Sequence, residues 1–294
     1  MNTDNRPKFV DWATLIFLTF VWGSSFIFIK RGLVAFSPLQ VGALRVALSS
    51  LVLLPFAISK IKNVKRKDLK IFFIAGLLGN GIPAFLFAIA QTRLDSLMAG
   101  ILNSLTPVFT LVVGVAFFSL RARWFNILGI IIGLLGAIGL LWSSSNGNLV
   151  LNSFYSLAII AATIMYALNM NIIKEFLSKY DTLTIVSIAF LFIGLPAAIF
   201  LFGFTDFVFI MKTHSYAFSS LGFIILLSFI GTSLAVILNV RVIKRTTAVF
   251  ASSVTYLMPI IAILWGILDG ENFLLIFLLW IAVILAGVYM ANRR

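Results

Sequence analysis

The sequence predicts an all-α transmembrane fold, in which ten helices form two inverted five-helix repeats around a central cavity. Three observations predict it: the apolar composition, the length of the apolar segments, and a weak internal repeat. Hydrophobic residues make up 62% of the 294 residues, charged residues make up 11%, and the mean hydropathy is +1.13. Soluble domains are about half apolar and a quarter charged. The chain therefore lacks the polar residues that a water-facing surface needs.

Ten apolar segments follow one another, each close to the roughly 20 residues that cross a bilayer as a helix. They are continuously apolar, whereas the strands of a membrane β-barrel alternate over about ten residues. The first segment is longer than the apolar part of a signal peptide and has no A-x-A cleavage site after it, so we expect it to be retained. The predicted helices, α1 to α10, are Trp12–Ile29, Leu39–Ile58, Ile71–Ala90, Leu97–Leu120, Trp124–Trp142, Phe154–Ile173, Leu183–Phe202, Ala217–Val240, Ala248–Leu268 and Phe273–Ala291.

The positive charges indicate the orientation of these helices. Of the 22 Lys and Arg residues, only Lys30, Arg31, Arg93 and Lys212 fall on the membrane side opposite the amino terminus. Arg45 falls within α2, and all the others fall on the same side as the amino terminus. Because cytoplasmic loops accumulate Lys and Arg, we expect both termini in the cytoplasm. Topology thus explains the net charge of +13, and the expected partners are the lipid bilayer and a small-molecule substrate, with no nucleic acid.

The two halves of the chain, residues 1–146 and 147–294, resemble each other. An offset of 144 residues aligns Val21–Lys30 with Met165–Lys174, and an offset of 152 aligns Gly79 with Gly231 and Pro107 with Pro259. Five helices are an odd number, so the second copy enters the membrane from the opposite side. Inverted repeats are typical of alternating-access carriers, which hold the substrate at mid-membrane between the copies.

Polar and aromatic residues form one stripe on α1, α3, α4, α6, α8 and α9, at spacings that place them on one helix face. This pattern predicts a central cavity that offers hydrogen bonds and aromatic contacts. The same side chains are also suited to joining helices by hydrogen bonds. The candidate substrate-binding residues are Trp22, Ser25, Asn80, Phe87, Asn103, Tyr166, Asn169, Asn239, Thr255 and Tyr256.

Three further intramembrane residues are candidates. Arg45 is positioned to meet a substrate carboxylate, to extend to the interface, or to bond helix-end carbonyls; its counterpart in the second half is Ala189. Pro107 and Pro259 each leave a backbone carbonyl without its helical partner. They are suited to lining the cavity, to marking a gating bend, or to forming a packing kink.

The composition argues against catalysis and against a pore. No carboxylate lies in a predicted span, the single histidine, His214, falls in an outer loop, and cysteine is absent. An intramembrane enzyme needs a nucleophile with a base or a metal cluster. We therefore expect no enzyme activity, no catalytic residue, no metal and no cofactor. A channel usually has a symmetric charged or carbonyl-lined ring, which one arginine does not supply, although a passive facilitator or pore is the alternative to a carrier. Coupling through a rim group such as Asp95 or Glu271 stays open.

Helices α5 and α10 differ from the rest, since α5 has four glycines at close-packing spacing and little polarity. The segment from Gly129 to Gly133 is a GxxxG motif. We interpret both helices as peripheral braces or as homodimer contacts.

Several short motifs follow one another along the chain: Trp22-Gly23-Ser24-Ser25, Pro38 to Arg45, Gly79 to Pro83, Pro107 with Pro259, and Asp269-Gly270-Glu271. In this order, over about residues 11 to 291, they resemble the EamA type of the drug/metabolite transporter superfamily. Arg121 stands where this family often has a glutamate before its fifth helix, and Tyr166-Ala167 replaces the Trp-Gly pair in the second half.

The resemblance implies a ten-helix inverted-repeat fold in the bacterial inner membrane. It also implies export of small metabolites such as amino acids, and a cavity formed by α1, α3, α4, α6, α8 and α9 with α5 and α10 outside it.

Overall fold

The computed structural model describes residues 7–94, 96–120, 123–144, 153–268 and 275–291, which contain helices and no β-strand. Within these residues, eight helices are long and apolar enough to cross a membrane, and two shorter apolar helices, Trp124–Gly139 and Ile276–Ala291, accompany them. The chain is therefore an all-helical, multi-pass membrane protein. Five residues of the motifs and rim groups considered above lie outside the described residues: Asp95, Arg121, Asp269, Gly270 and Glu271.

The described helices follow the predicted order, and several are interrupted. A short helix, Phe207–Thr213, links α7 to α8, and 3-10 turns at Ile61–Asn63 and Arg66–Asp68 link α2 to α3. The bounds are α1 Phe9–Gly32, α2 Pro38–Lys60, α3 Leu69–Gly76 and Ile82–Ala90, α4 Ser96–Asn103 and Thr106–Phe117, α5 Trp124–Ser144, α6 Ser153–Ile172, α7 Thr182–Gly203, α8 Ala217–Ser228 and Ala235–Arg245, α9 Ala248–Ser252 and Val254–Leu268, and α10 Ile276–Ala291.

Local sequence fixes the start of α2. Ser37 accepts a hydrogen bond from the backbone of Gln40, whose side chain accepts one from the Ser37 backbone, and Pro38 occupies the first helical position. This is a capping box with a favourable proline. The cap fixes Pro38 as the first residue of α2, and Arg45 is therefore the eighth residue of this helix.

The end of α8 differs from the prediction, which ended this helix at Val240. The helix continues through Arg245 because one side of this last turn is buried, at Val242 and Ile243, while Arg245 forms an ion pair. A prediction that ends a helix where its mean hydropathy falls therefore misses an amphipathic last turn.

Two π-helical segments occupy equivalent places in the two halves. Leu77–Gly81 interrupts α3, and Phe229–Leu234 interrupts α8, which is the same position at an offset of 152. A third, Ile173–Leu177, ends α6. In α8, hydroxyl groups support the widened turn: Thr232 and Ser233 donate to carbonyl oxygens five residues earlier. π segments inside helices are frequent at functional sites.

The carbonyl groups released by the two prolines are both hydrogen-bonded. Pro107 releases the carbonyl of Asn103, which accepts from the Thr106 hydroxyl at 2.7 Å. Pro259 releases the carbonyl of Thr255, which accepts from the Ser104 hydroxyl of α4 at 2.9 Å. The second bond joins the two halves of the chain at the interruption of both helices.

The glycine face of α5 packs against α10 of the same chain. A Cβ atom on Gly129 would lie 2.1 Å from the backbone nitrogen of Ala291, and one on Gly287 would lie 2.3 Å from that of Gly133. Such backbone contact requires glycine. The glycine face is thus used within the chain, and a homodimer would have to use the exposed faces of these helices, which include Leu135 and Leu279.

Within the described parts of the chain, three ion pairs join the two halves at the end of the bundle where α1 and α3 begin and where α2 and α8 end. They link Asp68 to Lys179 at 2.7 Å, Asp11 to Arg245 at 3.3 Å, and Lys60 to Asp181 at 3.5 Å. At the opposite end, the described polar contacts between the halves are hydrogen bonds, such as that from the Gln40 side-chain amide to the Asp206 carboxylate at 2.8 Å and that from the Ser220 hydroxyl to the carbonyl of Arg31 at 2.8 Å. The prediction that these helix ends share one side of the membrane agrees with their contacts.

Candidate functional site

A cavity of about 90 Å³ lies between the two halves, and nearly all of the predicted site residues line it. Helices α1 to α4 supply one side, and α6, α8 and α9 supply the other. The lining residues are Trp22, Ser25, Phe26, Ile29, Arg45, Gly79, Asn80, Phe87, Asn103, Thr106, Tyr166, Asn169, Met170, Ile173, Val236, Asn239, Val240, Thr255 and Met258.

Tyr256 is the predicted site residue that the structure places elsewhere. Its side chain is fully buried, its hydroxyl donates to the carbonyl of Ile130 at 3.0 Å, and its ring covers Gly133. Successive helix residues point about 100° apart, so Thr255 faces the cavity while Tyr256 faces α5. The two proline residues also lie outside the lining, with their released carbonyls bonded as described.

Aromatic rings form one wall of the cavity. Phe87 of α3 stacks with Tyr166 of α6, with ring centroids 6.0 Å apart and planes inclined by 20°, and Phe26 of α1 lies 6.1 Å from Phe87. This row joins both halves of the chain and presents a largely apolar wall with one phenolic hydroxyl.

Arg45 brings a positive charge to the cavity. Its side chain is 9% exposed, and its Nε donates to the Thr232 hydroxyl at 2.9 Å. That hydroxyl in turn donates to the carbonyl of Leu227 at 2.9 Å, which fixes its direction. No described carboxylate lies within 4 Å of the guanidinium, and none of the described lining residues is acidic. The cavity therefore has a net positive charge.

The asparagines of the cavity leave acceptors unused. Among the described residues, the carbonyl oxygens of Asn169 and Asn239 are buried and have no hydrogen-bond partner. Asn103 is better satisfied, since its carbonyl oxygen accepts from Thr106 at 3.3 Å and its amide lies 3.5 Å from the Met258 sulfur. Buried polar atoms without partners are costly and uncommon. Two of them in one cavity are suited to a ligand that donates hydrogen bonds.

Reciprocal contacts in the two halves hold α1 and α6 against the π segments. A Cβ atom on Gly231 would lie 2.9 Å from the Ser25 hydroxyl, and one on Gly79 would lie 2.4 Å from the Asn169 amide. These are equivalent pairs, because Ser25 aligns with Asn169 and Gly79 aligns with Gly231. The indole of Trp22 adds a hydrogen bond to the carbonyl of Gly231 at 2.8 Å.

The sequence stripe omitted nine of the lining residues. Phe26 and Ile29 follow Trp22 by four and seven residues, and Met170 and Ile173 follow Tyr166 in the same way. That spacing identifies one helix face, so extending the stripe through apolar residues would have found them. The remaining ones are Gly79, Thr106, Val236, Val240 and Met258.

The chemistry of this arrangement is recognition. Within the described part of the chain, no group of three or more metal-binding side chains occurs. The cavity combines a cation, hydrogen-bond acceptors, a few hydroxyls and an aromatic wall, which together select a small amphiphilic solute.

The ion-paired end has its own electrostatics. The hydrogen bond to Asp68 raises the pKa of the Lys179 ammonium, and burial, followed by the hydrogen bond to the same carboxylate, raises the pKa of the Tyr180 phenol. Both groups belong to the second half and Asp68 to the first, so these bonds fasten one half to the other.

Comparison with known proteins gives a consistent result. The EamA-like transporter family model matches residues 12–142 and again 153–293. An uncharacterized transporter of Archaeoglobus fulgidus is 26% identical over 96% of this chain and 99% of its own. The uncharacterized inner membrane transporter YedA of Escherichia coli is 26% identical over 96% of this chain and 90% of its own.

A solved crystal structure of a protein with 15% sequence identity superposes with a TM-score of 0.73 and covers 97% of both chains. At this identity, the likeness shows a shared fold.

Proposed function

This chain belongs to the EamA-like transporter family, and from that premise we propose that it exports small neutral or zwitterionic metabolites, amino acids among them, by alternating access. Family membership and the names of the relatives make it a membrane transporter and not an enzyme. The observation that carries the proposal is the cavity between the halves, into which the first half directs the Arg45 guanidinium and the second half directs the unpartnered carbonyl oxygens of Asn169 and Asn239.

The proposal includes ten spans in two oppositely inserted five-helix units. The eight long apolar helices and the two shorter ones together support a count of ten spans. The equivalent π segments and the reciprocal contacts of Gly79 and Gly231 support a twofold relation between the units. Such units exchange access by rocking around a fixed site.

The ion-paired end then acts as a closed gate. We place it on the cytoplasmic side, with both termini, and we place the protein in an inner membrane as YedA is named. Loading from the cytoplasm requires the three ion pairs to separate. In each pair the basic side chain is between 35% and 52% exposed, while Asp11 and Asp68 are buried. Water therefore has access to every pair, and opening the gate requires it to hydrate the two buried carboxylates.

The test is counterflow in proteoliposomes with a panel of labelled neutral amino acids. We expect saturable uptake that an unlabelled internal pool of the same solute accelerates. The variant Asn239→Leu should lower this flux at least about tenfold, because a hydrogen-bond donor of the solute leaves water and no longer finds the Asn239 carbonyl oxygen as its acceptor. The matched control is Asn63→Leu, at an exposed turn, which should keep normal flux.

Two results would overturn the proposal. A flux that rises linearly with concentration and ignores the internal pool would indicate the alternative, a passive facilitator or pore. Normal flux in folded Asn239→Leu would separate transport from this cavity.

A further inference from the structure

The guanidinium of Arg45 has most of its hydrogen-bonding capacity unused. Arginine has five N–H donors, and in the described structure only Nε has a hydrogen-bond partner, the Thr232 hydroxyl. The side chain is more than nine-tenths buried and lines the cavity. A buried charge of this kind costs several kcal/mol without a partner. The remaining donors are therefore available to an anion that fits inside the cavity.

A purely structural role does not account for Arg45. It is the eighth residue of α2, which places its Cα about 10 Å along the helix axis from the first residue. An arginine that extends to the interface directs its charge towards the helix end, whereas Arg45 reaches across to Thr232 in the π segment of α8. The same contact directs the remaining N–H groups away from the hydroxyl.

We propose that Arg45 binds the carboxylate of the transported solute, so that the substrates are small monocarboxylates. The inference rests on the proposed transport function and narrows its substrate class. A guanidinium pairs with a carboxylate through two parallel hydrogen bonds. One fixed positive charge neutralises one carboxylate, and since none of the described lining residues is acidic, a solute with only an amine has no counter-ion there.

The rest of the cavity specifies the rest of the solute. The unpaired carbonyl oxygens of Asn169 and Asn239 accept hydrogen bonds from an ammonium or similar donor. The wall of Phe26, Phe87 and Met258 contacts an apolar side group. Neutral α-amino acids combine all three features, with the carboxylate as the group that determines binding.

Matched ligands separate these contributions. For leucine, the set is L-leucine, 3-methylbutylamine, which lacks the carboxylate, and 4-methylpentanoate, which lacks the amine. For phenylalanine, it is L-phenylalanine, 2-phenylethylamine and 3-phenylpropanoate. The measurement is the ligand-dependent shift of the melting temperature of the purified protein in detergent, titrated to an apparent Kd.

We expect the amino acid of at least one set to bind most tightly, its amine-free acid to bind more weakly, and its amine to bind at least about tenfold more weakly than the acid. Arg45→Gln should remove binding of both carboxylates. Arg45→Lys, which keeps the charge but not the paired donors, should weaken it about tenfold. Arg241→Gln, which removes an exposed arginine of α8, should bind as the unmodified protein does.

The inference is overturned if the amines bind as tightly as the acids, if no carboxylate in either set binds, or if folded Arg45→Gln retains the affinity. If that variant does not fold, the ligand series on the unmodified protein decides alone. Saturable counterflow of a solute without a carboxylate would refute this inference and leave the transport function standing. Absence of saturable flux for the whole amino-acid panel would refute the proposed export of amino acids itself.

Discussion

The two halves of the molecule share their backbone and differ in the side chains that they direct at the cavity. Each half has a π segment at the same place and a proline in its fourth helix. The π segment of each half also contains a glycine that packs against the first helix of the other half. Arg45 of the first half nevertheless corresponds to Ala189 in the second. The repeat thus supplies a symmetric frame, and substitution within it gives a cavity with one charged side.

The frame explains why the charge is found in one half only. Ala189 is buried, and its carbonyl oxygen packs against Gly76, where a Cβ atom would lie 2.4 Å away. Arg45, by contrast, adjoins the cavity and the hydroxyl of Thr232. Equivalent positions in sequence therefore differ in the space and the partners that they offer.

The largest expected effect comes from forcing the halves to be alike. Ala189→Arg would bury a second guanidinium in close helix packing, at a cost of about 3 kcal/mol or more. We expect severe loss of monodisperse protein, measured by fluorescence-detected size exclusion of a tagged chain. Ala189→Ser should elute as the unmodified protein does. Well-folded Ala189→Arg would show that the two positions are equivalent after all.

A smaller effect should distinguish the two aromatic counterparts, Trp22 and Tyr166. Trp22→Phe removes the hydrogen bond to the buried carbonyl of Gly231 and should lower the free energy of unfolding by about 1 kcal/mol. Tyr166→Phe should leave it unchanged, since no hydrogen bond of that hydroxyl occurs in the described structure. Thermal unfolding in detergent measures both, and equal losses would contradict the asymmetry.

The smallest expected effect lies where the halves meet at the ion-paired end. The pKa of Lys179 is raised above the ordinary 10.5 by its hydrogen bond to Asp68. The stabilising contribution is therefore complete below pH 10.5 and is lost as the pH rises through the raised value. Between pH 9 and pH 12, we expect the melting temperature of the unmodified protein to fall slightly more than that of Lys179→Gln. Identical pH profiles would mean that this pair does not hold the halves together.

Much of this arrangement could be predicted from the sequence, and particular residues show the limits. The helical phase of Asn80, Asn103, Asn169 and Asn239 was sufficient to assemble them, because a polar stripe in a membrane helix faces protein or water. Tyr256 was misplaced since its residue type, and not its phase, suggested a site role. On an α-helix the residue next to Thr255 points about 100° away from it, so Tyr256 does not share its face.

Other features depend on tertiary contacts that the sequence does not specify. The glycines of α5 predict close helix packing, but spacing cannot tell a helix of the same chain from one in a second copy, and the structure places α10 there. The bonds from Thr106 and Ser104 to the carbonyls released by proline depend on tertiary distances. The π segments depend on how α3 and α8 meet their neighbours, and no composition specifies them.

The π segment of α8 also has a consequence for changes in chain length. A widened turn holds one residue more than the α-helical count, so Phe229–Leu234 contains a residue that the helix can lose without a break. Because the widened turn absorbs its extra residue, removing one residue there would restore regular winding and leave the helix beyond it facing as before. Asn239 would then keep its place in the solute path. A deletion elsewhere in α8 has no such reserve and would rotate everything beyond it by about 100°. Chain length can therefore change by one residue in this segment without changing which side chains face the cavity.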